Sequence, residues 1–289
     1  MLSPYLFAAC YLNDLIERLR EADLGCYVYS IYVGVVAYAD DLCLLAPNAA
    51  VLQEMVIMCE EYGSEHNLLF STDPVPARSK TKCLVFTGNN RAVTLRPIML
   101  NNKPLPWVDR VDHLGHVLQQ NMSMEADSVR AKCSFRARAS DIRDNLYFAT
   151  PSQKMQAIQL NVCDGYGSML WKLDSEYAAS YFKQWNIQAR LSWSIPRTTH
   201  VYLVENYFCS TFTSLKRQIF SRYSNFLRKL TDSPSYEVNV LSTIFLRDAR
   251  SITCQNFSFL SELIDVNIID TTLVEFKSLV QNEEAPAND

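Results

Sequence analysis

Residues 35–45 read VVAYADDLCLL, two apolar runs around a pair of aspartates. Valine, tyrosine and leucine are typical of β-strands, so the pattern predicts a β-hairpin with Asp40 and Asp41 at its tip. Two carboxylates about 4 Å apart repel each other by about 4 kcal/mol at an effective dielectric constant of about 20. A bound Mg²⁺ reverses that effect, because hard cations prefer carboxylate oxygens as protein ligands. The tip is therefore either a metal site or, more simply, a solvated turn.

Helical patterns flank this hairpin on both sides. Apolar residues recur at helical spacing before it, at Leu12, Leu15, Ile16 and Leu19. They predict an amphipathic helix over residues 4–24, which Ser3 caps at its start and Gly25 stops at its end. A second helix is predicted over residues 49–66, where it would cover the sheet that contains the hairpin. Further strands are predicted at the short apolar runs 83–86, 97–100 and 111–118.

The pattern changes near Asn121, beyond which helical periodicity dominates. We therefore predict an α+β chain in which residues 1–120 form an antiparallel sheet with covering helices. Helices are predicted for residues 121–200 and for a C-terminal extension, residues 201–281. The acidic residues 282–289 are predicted to be a disordered tail.

Composition narrows the class of protein. The chain has 289 residues, 48% of them hydrophobic, and a formal net charge of -4, so any contact with phosphate must be local. None of its 7 glycines stands in a G-x-G-x-x-G or G-x-x-x-x-G-K-[ST] pattern, which leaves Rossmann and P-loop nucleotide sites without support. Its 9 cysteines include no C-x-x-C pair, which favours reduced thiols, an intracellular protein and no disulfide-linked partner. No signal peptide is visible, and the most apolar stretch, residues 27–39, is too short to cross a membrane.

Four segments resemble motifs of reverse transcriptases and follow that family's order. Tyr38-Ala39-Asp40-Asp41 resembles the Y/F-x-D-D hairpin, motif C. LSPYLF at residues 2–7 resembles the end of motif B, KTKCLVF at 80–86 resembles motif D, and HLGHVL at 113–118 resembles the primer-holding strand, motif E. GYGSMLW at 165–171 and WSIPR at 193–197 resemble segments that follow the thumb in LINE-type (non-LTR) retrotransposon polymerases. The resemblance covers about residues 2–208.

This resemblance implies that residues 1–120 are the second half of a polymerase palm and that residues 121–200 are the thumb and the segment after it. The implied activity is RNA-directed DNA synthesis by two-metal nucleotidyl transfer, with an RNA template, a DNA primer and deoxynucleotides as partners and Mg²⁺ or Mn²⁺ as cofactor. Asp40 would be the principal catalytic metal ligand, and Asp41 would assist it. Lys80 would supply a cation, or a proton to the departing pyrophosphate.

The resemblance also assigns residues to the binding of substrate and nucleic acid. These are Ser3, Lys82, His113, Gly115, Lys132, Arg136 and Arg143. The last three form what we call the basic strip, with Arg130 and Arg138 nearby. Simpler interpretations stay open: Lys80 and Lys82 could be solvated lysines at a strand edge, and the basic strip could be an ordinary solvated helix face.

Histidines and tryptophans offer two further candidates. His113 and His116 have a spacing that suits zinc, but no further ligand lies nearby in the sequence, so we prefer strand residues. Trp171, Trp185 and Trp193 could stack on bases, but tryptophans in a helical region are expected to belong to the core.

In the family, an aspartate from motif A shares the metals with the motif C pair, and motif A precedes motif B. This chain begins within motif B, with Met1 where a glycine is usual, so we expect it to lack that aspartate and the fingers and to be inactive alone. It would then be a truncated reverse transcriptase of a retrotransposon. Two other functions stay open: a nucleic-acid-binding remnant without catalysis, and a domesticated interaction protein.

Overall fold

The computed structural model describes residues 12–39, 41–73, 75, 78–87, 95–162, 165–200, 202–203 and 215–264. It confirms the mixed α and β composition expected from the sequence, with small sheets. The chain divides into two compact units, Met1–Ser123 and Met124–Asp289. The predicted cap at Ser3 and the predicted tail at 282–289 lie outside the described residues.

Short strands and two covering helices make up the described part of the first unit. Its elements are α1 (Asn13–Glu21), β1 (Tyr27–Val28), β2 (Ile31–Tyr32), β3 (Val35–Tyr38), β4 (Asp41–Leu44), α2 (Ala49–His66), β5 (Cys83–Leu84), β6 (Met99–Leu100), β7 (Lys103–Pro104), β8 (Trp107–Val108), β9 (Arg110–His113) and β10 (His116–Gln119). The described part of the second unit is helical. Its elements are α3 (Glu125–Asn145), α4 (Pro151–Asn161), a 3₁₀ turn (Ser168–Leu170), α5 (Glu176–Ser192), α6 (Leu215–Thr231), α7 (Tyr236–Arg247) and α8 (Ile252–Ile264).

The predicted Asp-Asp hairpin is present. Strands β3 and β4 pair antiparallel, with Tyr38 opposite Asp41. Leu45 continues the pairing, because its carbonyl accepts from the Cys26 N–H at 2.9 Å and its own N–H donates to Gly34 O at 2.7 Å. The β1–β2 and β3–β4 hairpins are thereby joined by hydrogen bonds.

The predicted antiparallel sheet needs two corrections. Each described strand pairs with one other strand, and one of these two-stranded ladders, β5 with β8, is parallel, with Cys83 opposite Trp107. A parallel pair requires a long crossover, which residues 85–106 supply with the β6–β7 hairpin inside it. The run at residues 111–118 is the antiparallel β9–β10 hairpin rather than one strand.

Helix α2 begins and ends where the sequence predicts. The side-chain oxygen of Asn48 accepts the N–H groups of Ala50 and Val51 at 2.9 and 3.0 Å. Asn67 ends the helix in the left-handed conformation, with φ 54°. These are the preferred residue types for the two caps, so both boundaries follow from local sequence.

Helix α1 ends earlier than predicted, at Glu21 rather than near Gly25. Asp23 takes the left-handed conformation there, with φ 57°, and the Leu24 N–H donates to Leu19 O at 3.1 Å. A short polar side chain tolerates this conformation, which is why an aspartate could stop the helix before the glycine.

Helix α2 lies between two apolar clusters of the first unit. One is shared with α1 and is formed by Leu12, Leu15, Leu19, Met55, Cys59 and Tyr62. The other is shared with the strands around β5 and is formed by Val56, Cys83, Ile98, Leu100 and Leu105. Leu42 and Leu44 of β4 pack against the first cluster, so α2 covers the β3–β4 hairpin.

One apolar core runs through the second unit. It draws buried side chains from all the helices α3 to α8, among them Phe135, Met155, Trp185, Phe220 and Leu260. The helices before and after residue 200, which the sequence divides between a thumb and an extension, therefore share a core. Among the helices that the structure describes, none is both long and apolar enough to span a membrane.

Candidate active site and nucleic-acid interface

The β3–β4 hairpin presents its tip to solvent. Tyr38 is 59% exposed, and Asp41, the first residue of β4, is exposed as well. Ala39 has φ 55°, the left-handed conformation that tight hairpin loops favour. Asp40 lies outside the described residues. The Asp41 carboxylate is thus accessible and offers the hard oxygen ligand that Mg²⁺ prefers.

Apolar packing behind the tip holds the hairpin in place. Val35 and Ala37 of β3 and Leu42 and Leu44 of β4 pack against the cluster that α1 and α2 share. Cys43 is half-buried beside them, and burial raises the pKa of its thiol. Because β4 begins at Asp41, the core residues of the strand set where that carboxylate lies.

Lys80 and Lys82 lie just before β5. Lys80 is exposed and Lys82 is half-buried. Between them, the Thr81 hydroxyl donates to Ser71 O at 2.7 Å and ties this segment to the chain that follows α2. Strand β5 pairs with β8 while β4 pairs with β3, so the lysines and Asp41 belong to different two-stranded ladders.

The segment from His113 to His116 forms a tight hairpin loop. His113 and His116 are opposite each other, with Leu114 at φ 47° and Gly115 at φ 76° between them. Positive φ at both loop residues is the type I′ pattern, which matches the right-handed twist of paired strands. Glycine adopts it freely, whereas leucine does so at a cost of about 1–2 kcal/mol. In the part of the chain that the structure describes, no three His, Cys, Asp or Glu side chains group as metal ligands.

The basic strip of α3 faces a row of polar side chains on α5. Lys132 Nζ donates to Ser180 Oγ at 3.2 Å, and Arg136 Nε donates to Gln184 Oε1 at 2.7 Å. Further along, Arg143 donates to Gln188 Oε1, and both glutamines are only 2% exposed. The residue numbers of the hydrogen-bond partners increase together along the two helices, so α3 and α5 run parallel. Charge-assisted hydrogen bonds join them.

Two neighbouring arginines also contribute to contacts inside the second unit. Arg130 Nε donates to Asp127 Oδ1 at 3.0 Å. Arg138 donates to the carbonyls of Asn161 and Val162 at 3.4 and 3.3 Å, at the C-terminus of α4, where a cation also interacts favourably with the helix dipole. The positive face of α3 therefore contributes in part to polar contacts with α4 and α5.

The tryptophans expected in the core are there. Trp171 is 2% exposed, and its indole N–H donates to Asp127 Oδ2 at 2.9 Å. Trp185 is buried, and Trp193 packs against the same core. Asn256 of α8 fixes the segment around Trp171, because its amide donates to Trp171 O at 2.7 Å and accepts from the Leu173 N–H at 2.8 Å.

Two groups of polar residues in the second unit lie outside the sequence motifs quoted above. One is the row Ser180, Gln184 and Gln188, whose signal in the sequence is a polar residue at every fourth position of α5. The other is the set of cations on α6, whose signal is a helix with lysines and arginines and no acid.

The chain matches no model of a known protein family, and a search among curated proteins finds no significant match.

Proposed function

We propose that this chain carries the second half of the palm, the thumb and a helical extension of a LINE-type reverse transcriptase, with the β3–β4 hairpin at its metal site. The observation that carries the proposal is the hairpin itself, in which Tyr38 stands opposite Asp41 and the acidic end is exposed. The tight two-residue turn at Leu114 and Gly115, both with positive φ, supports it further, because this hairpin is the segment that resembles motif E.

Asp40 and Asp41 are the proposed ligands of Mg²⁺ or Mn²⁺, because carboxylate oxygens at an exposed turn suit hard divalent cations. Bound metal supplies Lewis-acid activation of the primer hydroxyl and neutralises charge on the nucleotide phosphates. Lys80 would pass a proton to the departing pyrophosphate. The remaining proposed contacts to nucleotide, template and primer are Ser3, Lys82, His113, Gly115 and the basic strip.

Iron-directed cleavage tests the metal site. Fe²⁺ with ascorbate and peroxide cuts the backbone next to the place where the ion binds, and mass spectrometry locates the cuts. We expect cleavage near the hairpin tip that excess Mg²⁺ suppresses and that Asp40→Asn with Asp41→Asn abolishes. The matched control is Asp109→Asn with Asp112→Asn, which removes two exposed carboxylates beside another hairpin and should leave the cuts unchanged. Cleavage that is unaffected by the first pair would refute the metal site.

Primer extension on an RNA template tests the catalytic part of the proposal. We expect no Mg²⁺-dependent extension from these 289 residues alone, because two-metal geometry needs the third carboxylate that the family takes from motif A. Template-dependent extension that Asp40→Asn abolishes would contradict this expectation and would assign the missing ligand to another acid of the chain.

A further inference from the structure

Helix α6 is the most one-sidedly charged element that the structure describes. Its sequence, LKRQIFSRYSNFLRKLT, has five lysines and arginines in 17 residues and no aspartate or glutamate. The whole chain has a formal net charge of -4, so this concentration of positive charge is local. The nearest acid along the chain is the exposed Asp232, just after the helix.

Packing leaves four of the five cations of α6 exposed, and Arg222 is half-buried. The apolar side of α6 is buried in the core of the second unit through Leu215, Ile219, Phe220, Tyr223 and Leu227. At about 100° per residue, Arg217 and Arg228 fall along one border of the opposite side, and Arg222 and Lys229 fall along the other. These four cations, with the exposed Asn225 between the two borders, are the basic face of α6.

We propose that the basic face of α6 binds the sugar-phosphate backbone of a nucleic acid. The cations from Arg217 to Lys229 extend over about 18 Å at 1.5 Å per residue. Phosphates of one duplex strand follow each other at about 3.4 Å along the axis, so that length spans about five of them. Asn225, between the cations, adds amide hydrogen-bond donors, a frequent partner of phosphate and sugar oxygens.

The same packing argues against a membrane surface as the occupant. An amphipathic helix that inserts into the surface of a bilayer needs its apolar side free to enter the interface. Here that side is inside the core, with Phe220 and Tyr223 at 2% and 1% exposure. Charge complementarity with phosphates is the interaction that remains for the outer side.

This inference goes beyond the proposed polymerase, because α6 lies after the region that resembles the family and needs no metal site to bind. It also differs from the proposed role of the basic strip. The strip lies on α3, where each of its cations donates to a polar side chain of α5, whereas the basic face lies on α6, where Arg217, Arg228 and Lys229 are exposed.

Fluorescence anisotropy with a labelled single-stranded RNA measures this binding in the full chain. The test variant combines Arg217→Gln, Arg228→Gln and Lys229→Gln, three exposed positions. Its control combines Lys103→Gln, Arg110→Gln and Lys183→Gln, which are exposed on other elements and change the net charge equally. A third variant neutralises the basic strip, and circular dichroism verifies that each variant is folded.

We expect the α6 variant to weaken binding about tenfold at low salt and to reduce the slope of log K against log salt by about 2, near 0.7 for each phosphate contact on a single strand. The control should change the affinity less than about twofold. Equal losses in the α6 and control variants would overturn the inference, as would retention on phosphatidylserine vesicles without RNA binding. Loss of RNA binding in the strip variant alone would overturn this inference and leave the proposed polymerase intact. Absence of iron-directed cleavage at the hairpin, together with RNA binding that depends on α6, would refute the proposed metal site and leave this inference intact.

Discussion

Replacing Asn256 by alanine is expected to destabilise the second unit by about 3 kcal/mol. The Asn256 side chain is fully buried and bonds two backbone groups, the Leu173 N–H at 2.8 Å and the Trp171 carbonyl at 2.7 Å. Alanine has no side-chain amide, so it leaves both backbone groups without a hydrogen-bond partner. A buried backbone group without a partner costs about 1–3 kcal/mol, so two of them give about 2–6 kcal/mol, which the entry of water would reduce toward the lower half of that range.

Urea unfolding followed by tryptophan fluorescence measures this loss. Trp171, Trp185 and Trp193 all belong to the second unit, so the signal reports mainly on it. With a slope of about 2 kcal/mol per M urea, the unfolding midpoint should fall by about 1.5 M.

The adjacent residue gives the control. The Gln255 amide donates to Ala249 O at 3.1 Å, but this hydrogen bond is exposed, so water can replace it. Gln255→Ala should therefore change the free energy of unfolding by less than about 0.5 kcal/mol. A midpoint for Asn256→Ala that equals the midpoint for Gln255→Ala would refute the reasoning, because burial would then make no difference to the cost of an unpaired backbone group.

Three other outcomes are expected. Gly115→Ala should lower the free energy of unfolding by about 1 kcal/mol in a denaturant titration, because φ 76° disfavours a Cβ. Burial raises the pKa of Cys59 from 9.0 to about 12 and that of Cys83 to about 11, so unfolding releases thiol protons at alkaline pH. The stability that these thiols contribute is complete below pH 9 and declines from there through pH 11 to 12, which circular dichroism against pH can follow. A brief pulse of iodoacetamide should alkylate the exposed Cys133 well before the buried Cys59, as peptide mapping would report.

Elements with local signals were predictable from the sequence. The β3–β4 hairpin follows from two apolar runs around a polar pair, and α2 follows from an Asn cap and helical spacing. The pairing of Cys83 with Trp107 was not predictable, because a parallel ladder depends on where the intervening crossover places its two ends. The stop at Asp23 was missed since glycine is the commoner left-handed residue, although aspartate also adopts it.

The cations show a second limit of sequence reasoning. A positive strip on α3 is visible from spacing alone, but spacing cannot tell whether its partner is solvent, phosphate or another helix. In the structure, Arg136 donates to Gln184 and Arg143 donates to Gln188, which lie 48 and 45 residues further along the chain. Helix α6 shows a different limit, because its positive charge is visible in the sequence but no motif includes it.

The hydrogen bonds between Asn256 and the segment around Trp171 also affect the order in which the chain folds during synthesis. It joins residues 83 and 85 positions apart, and contacts over such distances form late because closing a long loop costs entropy. Chains emerge from the ribosome N-terminus first, so α3, α4 and α5 leave it well before α8. Until residue 256 has emerged, the Trp171 carbonyl and the Leu173 N–H lack their final partner, and nascent chains in that interval are expected to be clients of chaperones.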